Sequence, residues 1–305
     1  MRSRTRVVTA LVSAVVVALI AAAPAGAYLR DFQTVGLSSL NNSTTVKSVS
    51  VPCPPGKFAL GAGGAVISPF GNLGLDNLWV FFGQFRAFNG GAETDAIASR
   101  WLVTGRVFCA TQVPAVPPGG GAPFIKNVSL VTHTSGANSN PFKTSVATCP
   151  TGSSAIGGGG DLNGATNDLA FDSVRRGAAS GFRVRAHEVD FTNVSWSVTA
   201  TAICANITNT PPGSQYVGVT PIVGPDTGPG PLHTGTAATT ATCPGGKRII
   251  GGGAYLTGVT AGSPPPADLV LTASRPINNT QWFGEARDTD PPGAGYHLQV
   301  RAVCG

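Results

Sequence analysis

Thr242-Cys243-Pro244-Gly245-Gly246-Lys247-Arg248-Ile249-Ile250-Gly251-Gly252-Gly253 is a turn followed by a strand stripped of side chains. Proline fixes φ and the glycine three residues after the cysteine accepts φ above zero, so Cys-Pro-x-Gly turns the chain. The same unit recurs as Cys149-Pro150-Thr151-Gly152 with Gly157-Gly158-Gly159, and as Cys53-Pro54-Pro55-Gly56 with Gly61-Ala62-Gly63. The early cysteines are 96 and 94 residues apart. A solenoid repeats every 20 to 50 residues or so, and this longer period means tandem domains.

Each copy ends on a second cysteine, at Cys109, Cys204 and Cys304. Counting back from it in twos gives Trp101, Val103, Gly105 and Val107, then Trp196, Val198, Ala200 and Ala202, then Tyr296, Leu298, Val300 and Ala302. The alternate positions are mostly polar. Period-two alternation is a strand with one buried face, and the cysteine lies on that face. Further strands are expected upstream of each early cysteine (46–51, 144–148, 236–242), between the cysteines (169–174 and 182–187, 269–273 and 282–286) and at the start of each copy (35–37, 128–131, 217–219). The first copy keeps Asp76-Asn77-Leu78 but then carries an aromatic run, Trp79, Phe81, Phe82, Phe85 and Phe88.

Composition agrees with many short strands joined by turns. Charged residues are only 11% of the chain, with 41 Gly and 24 Pro, whereas amphipathic helices need charged outer faces. The first 27 residues differ in kind: Arg2, Arg4 and Arg6, an apolar run from Val7 to Ala23, then Ala25-Gly26-Ala27. This reads as a secretory signal. An uncleaved membrane anchor is the alternative, and Pro24 with the small-residue exit favours cleavage. No second apolar stretch is found, so neither a C-terminal anchor nor a membrane association after cleavage is expected. Removing three of the 20 basic residues leaves 17 against 14 acidic ones. The scattered remainder lacks the clustered basic face of a nucleic-acid binder.

The fold expected is all-β: three tandem antiparallel β-sandwich domains at residues 28–112, 124–207 and 215–305, with Pro/Gly-rich linkers at 113–123 and 211–213. Six cysteines permit 15 pairings, and one early plus one late cysteine per copy makes Cys53–Cys109, Cys149–Cys204 and Cys243–Cys304 the simplest set. With no C-x-x-C pair and no His at ligand spacing to a Cys, neither a metal site nor a cofactor is expected.

For chemistry, the glycine clusters lack the strand-to-helix context of a phosphate loop. They are read instead as sites of close packing against a backbone or a bulky aromatic, with Trp101, Trp196 and Tyr296 as suitable partners. His133, His187, His233 and His297 hold no common place in the repeat. Carboxylates such as Glu93, Asp95, Asp161, Asp172, Glu188, Asp190, Glu285 and Asp288 are candidates for paired-carboxylate hydrolysis, although a triplicated frame argues against a single cleft. No catalytic residue is assigned. The candidate binding surface is Trp79, Phe81, Phe82 and Phe85, to be covered by a neighbouring domain or used on a partner.

Thr242 to Gly253, together with Val270 to Pro276, Trp282 and Arg301-Ala302-Val303-Cys304-Gly305, resembles a repeat of functionally uncharacterised proteins secreted by actinobacteria. The resemblance implies a secreted or wall-associated protein and brings no catalytic residues. A fainter likeness to the β-prism repeats of vitelline-membrane outer-layer proteins rests on the Cys-Pro-x-Gly turn and closing Cys. Their shorter repeat sets it aside. The expected function is a secreted, non-enzymatic extracellular or cell-surface protein with a binding or structural role toward a surface glycan or protein. The alternatives are a secreted polysaccharide- or wall-acting hydrolase and a carbohydrate-binding module.

Overall fold

The computed structural model describes residues 28–68, 73–81, 86–93, 99–113, 124–164, 168–177, 180–189, 193–208, 222–223, 233–245, 247–260, 264–289 and 295–304. The leader at 1–27, the linkers beyond residue 113, the strand expected at 217–219, and Phe82, Phe85, Asp95 and Asp190 fall outside them.

The described residues form strands and no helix. The first copy contains β1 (Tyr28–Ser38), β2 (Val46–Pro52), β3 (Lys57–Ile67), β4 (Leu73–Phe81), β5 (Arg86–Glu93) and β6 (Leu102–Val113). The second contains β7 (Phe124–Thr134), β8 (Phe142–Thr148), β9 (Ser154–Asn163), β10 (Leu169–Arg176), β11 (Gly181–Glu188) and β12 (Ser197–Thr208). The third contains β13 (Ile222–Val223), β14 (Thr236–Thr242), β15 (Ile249–Gly258), β16 (Leu269–Pro276), β17 (Gln281–Asp288) and β18 (Tyr296–Cys304).

Every pairing is antiparallel. Within a copy the strands divide into two three-stranded halves, such as β1-β6-β3 and β2-β5-β4. A disulfide ties one half to the other: Cys53–Cys109, Cys149–Cys204 and Cys243–Cys304, with Cα separations of 5.7, 5.5 and 5.7 Å. The all-β class and the one-disulfide-per-copy frame are therefore as expected. Closing a loop of that length contributes about 4 kcal/mol in the chain-entropy account.

The sandwiches do not hang in a row. Each half-sheet continues into a half-sheet of another copy, giving three six-stranded sheets ordered β1-β6-β3-β16-β17-β14, β2-β5-β4-β9-β12-β7 and β13-β18-β15-β10-β11-β8. The result is a three-sided prism around one continuous apolar core drawn from all three copies. Each seam is narrow, with two paired positions: Asn77 with Asp161 and Leu78 with Gly160, Ser173 with Tyr255 and Val174 with Ala254, Ala273 with Ala65 and Ser274 with Gly64.

The glycine clusters make this closure feasible. Immediately before each cluster the ladder skips one residue, a β-bulge at Leu60, Ile156 and Ile250. The carbonyls of these residues face the next glycine around the axis: a Cβ on Gly157 would stand 2.2 Å from Leu60 O, and one on Gly251 2.3 Å from Ile156 O. One position further on, Gly158 lies under the Phe182 ring and Gly252 under the Trp282 ring, where a Cβ would come within 2.6 and 2.3 Å of ring atoms. Close packing is thus the role of the clusters, as expected, but the aromatic partners are Phe182 and Trp282. Trp101, Trp196 and Tyr296 lie instead at the far end of the prism. A strand advances about 3.3 Å per residue, so a residue eight before the closing cysteine stands well away from it.

The closing strand keeps its predicted face, with Trp101, Val103, Val107 and Cys109 at 0% exposure. On the edge strands, Asp31 and Asn127 take positive φ (54° and 51°) where β1 and β7 bulge. Asp and Asn tolerate that conformation better than most residues.

Candidate functional site

Buried charge among the described residues lies both at the seams and at the far end of the prism. On the strand that enters each seam, one residue is skipped by the ladder: Asp76 in β4, Asp172 in β10 and Thr272 in β16. The neighbouring registers place Gly90, Arg185 and Glu285 in one equivalent position across from the bulge, and Ala92, His187 and Arg287 in another. One backbone geometry therefore presents three different chemistries.

In the second copy the slot is closed by ion pairing. Arg185 Nε donates to Asp172 Oδ1 at 2.5 Å and its Nη2 donates to Leu256 O of the third copy at 2.8 Å. His187 Nε2–H donates to Ala267 O at 2.7 Å, its Nδ1 stands 3.3 Å from Asp172 Oδ2, and the Phe142 ring stacks on it at 5.9 Å between centroids. Asp172 and His187 are wholly buried. In the third copy Thr272 Oγ1 donates to Glu285 Oε1 at 2.9 Å. Burial pulls the nearby Arg275 guanidinium below its ordinary range, Arg106 adding to the shift and Glu285 opposing it.

In the first copy the slot holds a carboxyl with no cationic residue at the equivalent positions. Asp76 Oδ1 is shielded from solvent and has no hydrogen-bond partner. Burial, opposed by a backbone hydrogen bond and reinforced by the Asp161 charge, pushes its carboxyl up to about 7. Asp161 stands on the next strand, directly across from Asn77. The seam between the second and third copies has Tyr255 where Asp161 stands, with Arg175 3.9 Å and Arg301 5.4 Å from its ring centroid.

At the far end of the prism the large aromatics close the sandwiches. Lys47 Nζ lies 4.8 Å from the Trp101 ring centroid and donates to Asn42 O at 3.0 Å and to Asn42 Oδ1. Lys143 repeats this over Trp196 at 4.7 Å, donating to Asn138 Oδ1, and Trp196 Nε1 donates to Glu188 Oε1 at 3.0 Å. Burial lowers the Lys143 ammonium and Glu188 partly restores it. The third copy has Ala237 and Tyr296 there, and the phenol donates to Gly235 O at 2.7 Å.

The candidate residues of the sequence are thus dispersed. Asp172 and Glu285 sit at seams, Glu188 and Asp288 toward the far end, and Asp161 beside Asp76. β4 includes Trp79 and Phe81, and β5 includes Glu93, but the side chains of these three lie outside the described ones, as do Phe82 and Phe85. Among the histidines only His133 stands beside a candidate nucleophile, its Nδ1 2.8 Å from Ser145 Oγ. That hydroxyl donates its proton to His133 O at 2.6 Å, so the imidazole is the donor to it and does not act as its base. His233 packs against Tyr296 and His297 reaches Val259 O at 3.3 Å. Sequence reasoning missed the Asp76 slot, although lining up Asp76, Asp172 and Thr272 in the repeat was the signal for it. Among the described residues no group of three or more His, Cys, Asp or Glu is arranged to hold a metal.

No family model matches the chain, and no curated protein matches it in sequence.

Proposed function

We propose that this is a secreted, non-enzymatic protein that works outside the cell or at its surface, as a rigid contact or structural element toward a glycan or protein. Three disulfides, one per copy, are typical of proteins made for an oxidising compartment. The observation that carries the contact role is where apolar side chains are left in water. Among the described residues Leu37, Leu40, Val46, Ile67, Phe142, Val194 and Val259 are 43–79% exposed, and all but Leu37, which lies within β1 across from Gly105, belong to the end of the prism opposite the Cys-Pro-x-Gly turns. In a chain with a well-filled core this bias fits a surface that meets something.

Sedimentation of the full chain with isolated cell-wall material, paired with a glycan array, tests the reading. Retention that falls when Leu40 and Val259 become Ser supports it. Retention unchanged by those substitutions removes the contact end. The hydrolase alternative draws on Asp76, a carboxyl that holds its proton near neutral pH beside a second carboxylate, as a general acid does. Turnover of wall polysaccharide that is lost in Asp76→Asn would replace the first reading with the second.

A further inference from the structure

Two of the three sheets repeat one row of charge across their seams. In the sheet shared by the third and first copies Arg106 stands across from Gly63, and a Cβ on Gly63 would come 2.6 Å from Arg275 Cα on the other side. In the sheet shared by the second and third copies Arg301 stands across from Gly253, and a Cβ there would come 2.6 Å from Arg175 Cα. Each of these seams thus sets an arginine from either copy beside a single glycine. The remaining sheet has Thr201 across from Gly159.

The two rows differ in what stands two residues beyond the glycine. Tyr255 lies with its ring centroid 3.9 Å from Arg175 Cζ and 5.4 Å from Arg301 Cζ, and Arg301 Nη2 donates to its phenol oxygen at 3.5 Å. There the chain itself supplies a ring and an oxygen to the arginine pair. The equivalent position of the other row is Ala65, which offers the pair only a methyl. Arg106 nevertheless reaches over that seam, its Nη1 donating to Ile277 O at 3.3 Å, two residues along the strand from Arg275. Arg275 Nε is shielded from water and has no hydrogen-bond partner. Burial, and after it the Arg106 charge, hold the Arg275 guanidinium below its ordinary range, with Glu285 opposing. Of these three charges two are positive, and both guanidiniums remain partly open to solvent.

We propose that Arg106 and Arg275 form a binding site for a singly charged oxyanion, a carboxylate or phosphodiester group, at the seam between the third and first copies. The guanidinium fork matches carboxylate and phosphate oxygens two at a time, and such a group supplies both the acceptor that Arg275 Nε lacks and the charge that balances the pair. The site lies apart from the exposed apolar end and does not depend on what that end contacts.

The test follows the Arg275 Nε–H resonance of the full chain by NMR, identified by its loss in Arg275→Gln, during titration in physiological salt with acetate, dimethyl phosphate and polygalacturonate. A saturable shift is expected. A response to the free ions makes a small anion sufficient, and a response to polygalacturonate alone makes the ligand a carboxylate carried on a polymer; either supports the site. Binding, read by calorimetry, should weaken by roughly ten-fold in Arg106→Gln and in Arg275→Gln, as expected for one lost charged hydrogen bond. Ala65→Tyr keeps both arginines but returns the ring of the other row to them, and it should abolish binding. Thermal unfolding shows that each variant folds, and the two glutamine variants carry the test if Ala65→Tyr does not fold. No shift with any of the three probes up to about 10 mM would overturn the proposal. So would binding that survives in both glutamine variants, since the anion would then sit elsewhere.

Discussion

Copy one and copies two and three place different pairs of residues at the same two positions. Copies two and three set a glycine under a large ring, Gly158 under Phe182 and Gly252 under Trp282. Copy one has Ala62 at the glycine position and Ala87 at the ring position, by the shared register of β2-β5, β8-β11 and β14-β17. Copy one thus has two alanines where the other copies have a glycine and a large ring, and the strand frame is the same. The repeat therefore keeps its strand frame at this layer while the side-chain volume placed there differs between copies.

The comparison can be broken by remaking copy one inside copy three. Trp282 is fully buried and its Nε1 donates to Ser274 Oγ at 3.2 Å. Trp282→Ala should cost about 4 kcal/mol, as deletions of large core aromatics do. Gly252→Ala alone should cost about 1–3 kcal/mol, because its methyl meets the ring. If the two positions form one volume unit, the double variant is more stable than Trp282→Ala by itself. Urea denaturation of the four proteins gives the coupling directly; additive losses would show that copy three tolerates no such exchange.

The bulge slots give the next largest contrast, and it has opposite signs in two copies. Asp172→Asn leaves the Arg185 guanidinium, 21% exposed, without its carboxylate. It should cost roughly 2 kcal/mol, less than a fully buried pair because water reaches the arginine. Asp76 behaves the other way. Its carboxyl titrates near 7 in the fold against 3.8 ordinarily, so the native state holds the proton more tightly than the unfolded chain. The stability this brings is complete below about pH 4 and is lost as pH rises through about 7. Asp76→Asn cannot ionise. Its unfolding free energy, read from urea denaturation, should exceed that of the parent by a margin that grows from pH 5 and levels off above pH 7, on the order of a few kcal/mol. A margin independent of pH would mean that Asp76 is not the titrating group.

What the sequence disclosed follows from how its signals are written. Paired cysteines and the alternation before Cys109, Cys204 and Cys304 are local patterns, so disulfides and the buried face of the closing strand were legible. Seams are not local: among the described residues β4 pairs with β9 at Asn77 and Leu78, and no motif announces two residues. Repeat length proved a poor guide to the arrangement, because sheets close into a prism through their central strands whatever the length of the outer ones. The Asp76 site was half legible. Its carboxylate stands in an alignable position, but its meaning depends on Gly90 and Ala92, residues notable for what they lack.

The axis separates the copies by a smaller margin. A Cβ on Gly157 meets Leu60 O at 2.2 Å, whereas one on Gly61 finds Ile250 O no nearer than 3.8 Å. Gly157→Ala should cost about 1–3 kcal/mol and Gly61→Ala nothing beyond about 0.5 kcal/mol, measured as shifts in denaturant midpoint at constant slope. Equal losses would mean that the axis is tighter at copy one than its contacts indicate.

The far-end clamps should show the least difference. Lys143 caps Trp196 with its charge and is anchored by Asn138, so Lys143→Met keeps the aliphatic stem over the ring and removes only the ammonium. A cation–π contact of this kind is worth about 1 kcal/mol, and part of that is returned because burial already weakens the charged form. Tyr296→Phe in copy three deletes a neutral hydroxyl instead, leaving Gly235 O without its 2.7 Å donor, again at about 1 kcal/mol. The two losses differ in salt dependence: the lysine contribution should shrink in high salt and the tyrosine contribution should not. Identical salt responses would mean that the Lys143 clamp works by packing its stem, and that copy three forgoes nothing by having Ala237 at that position.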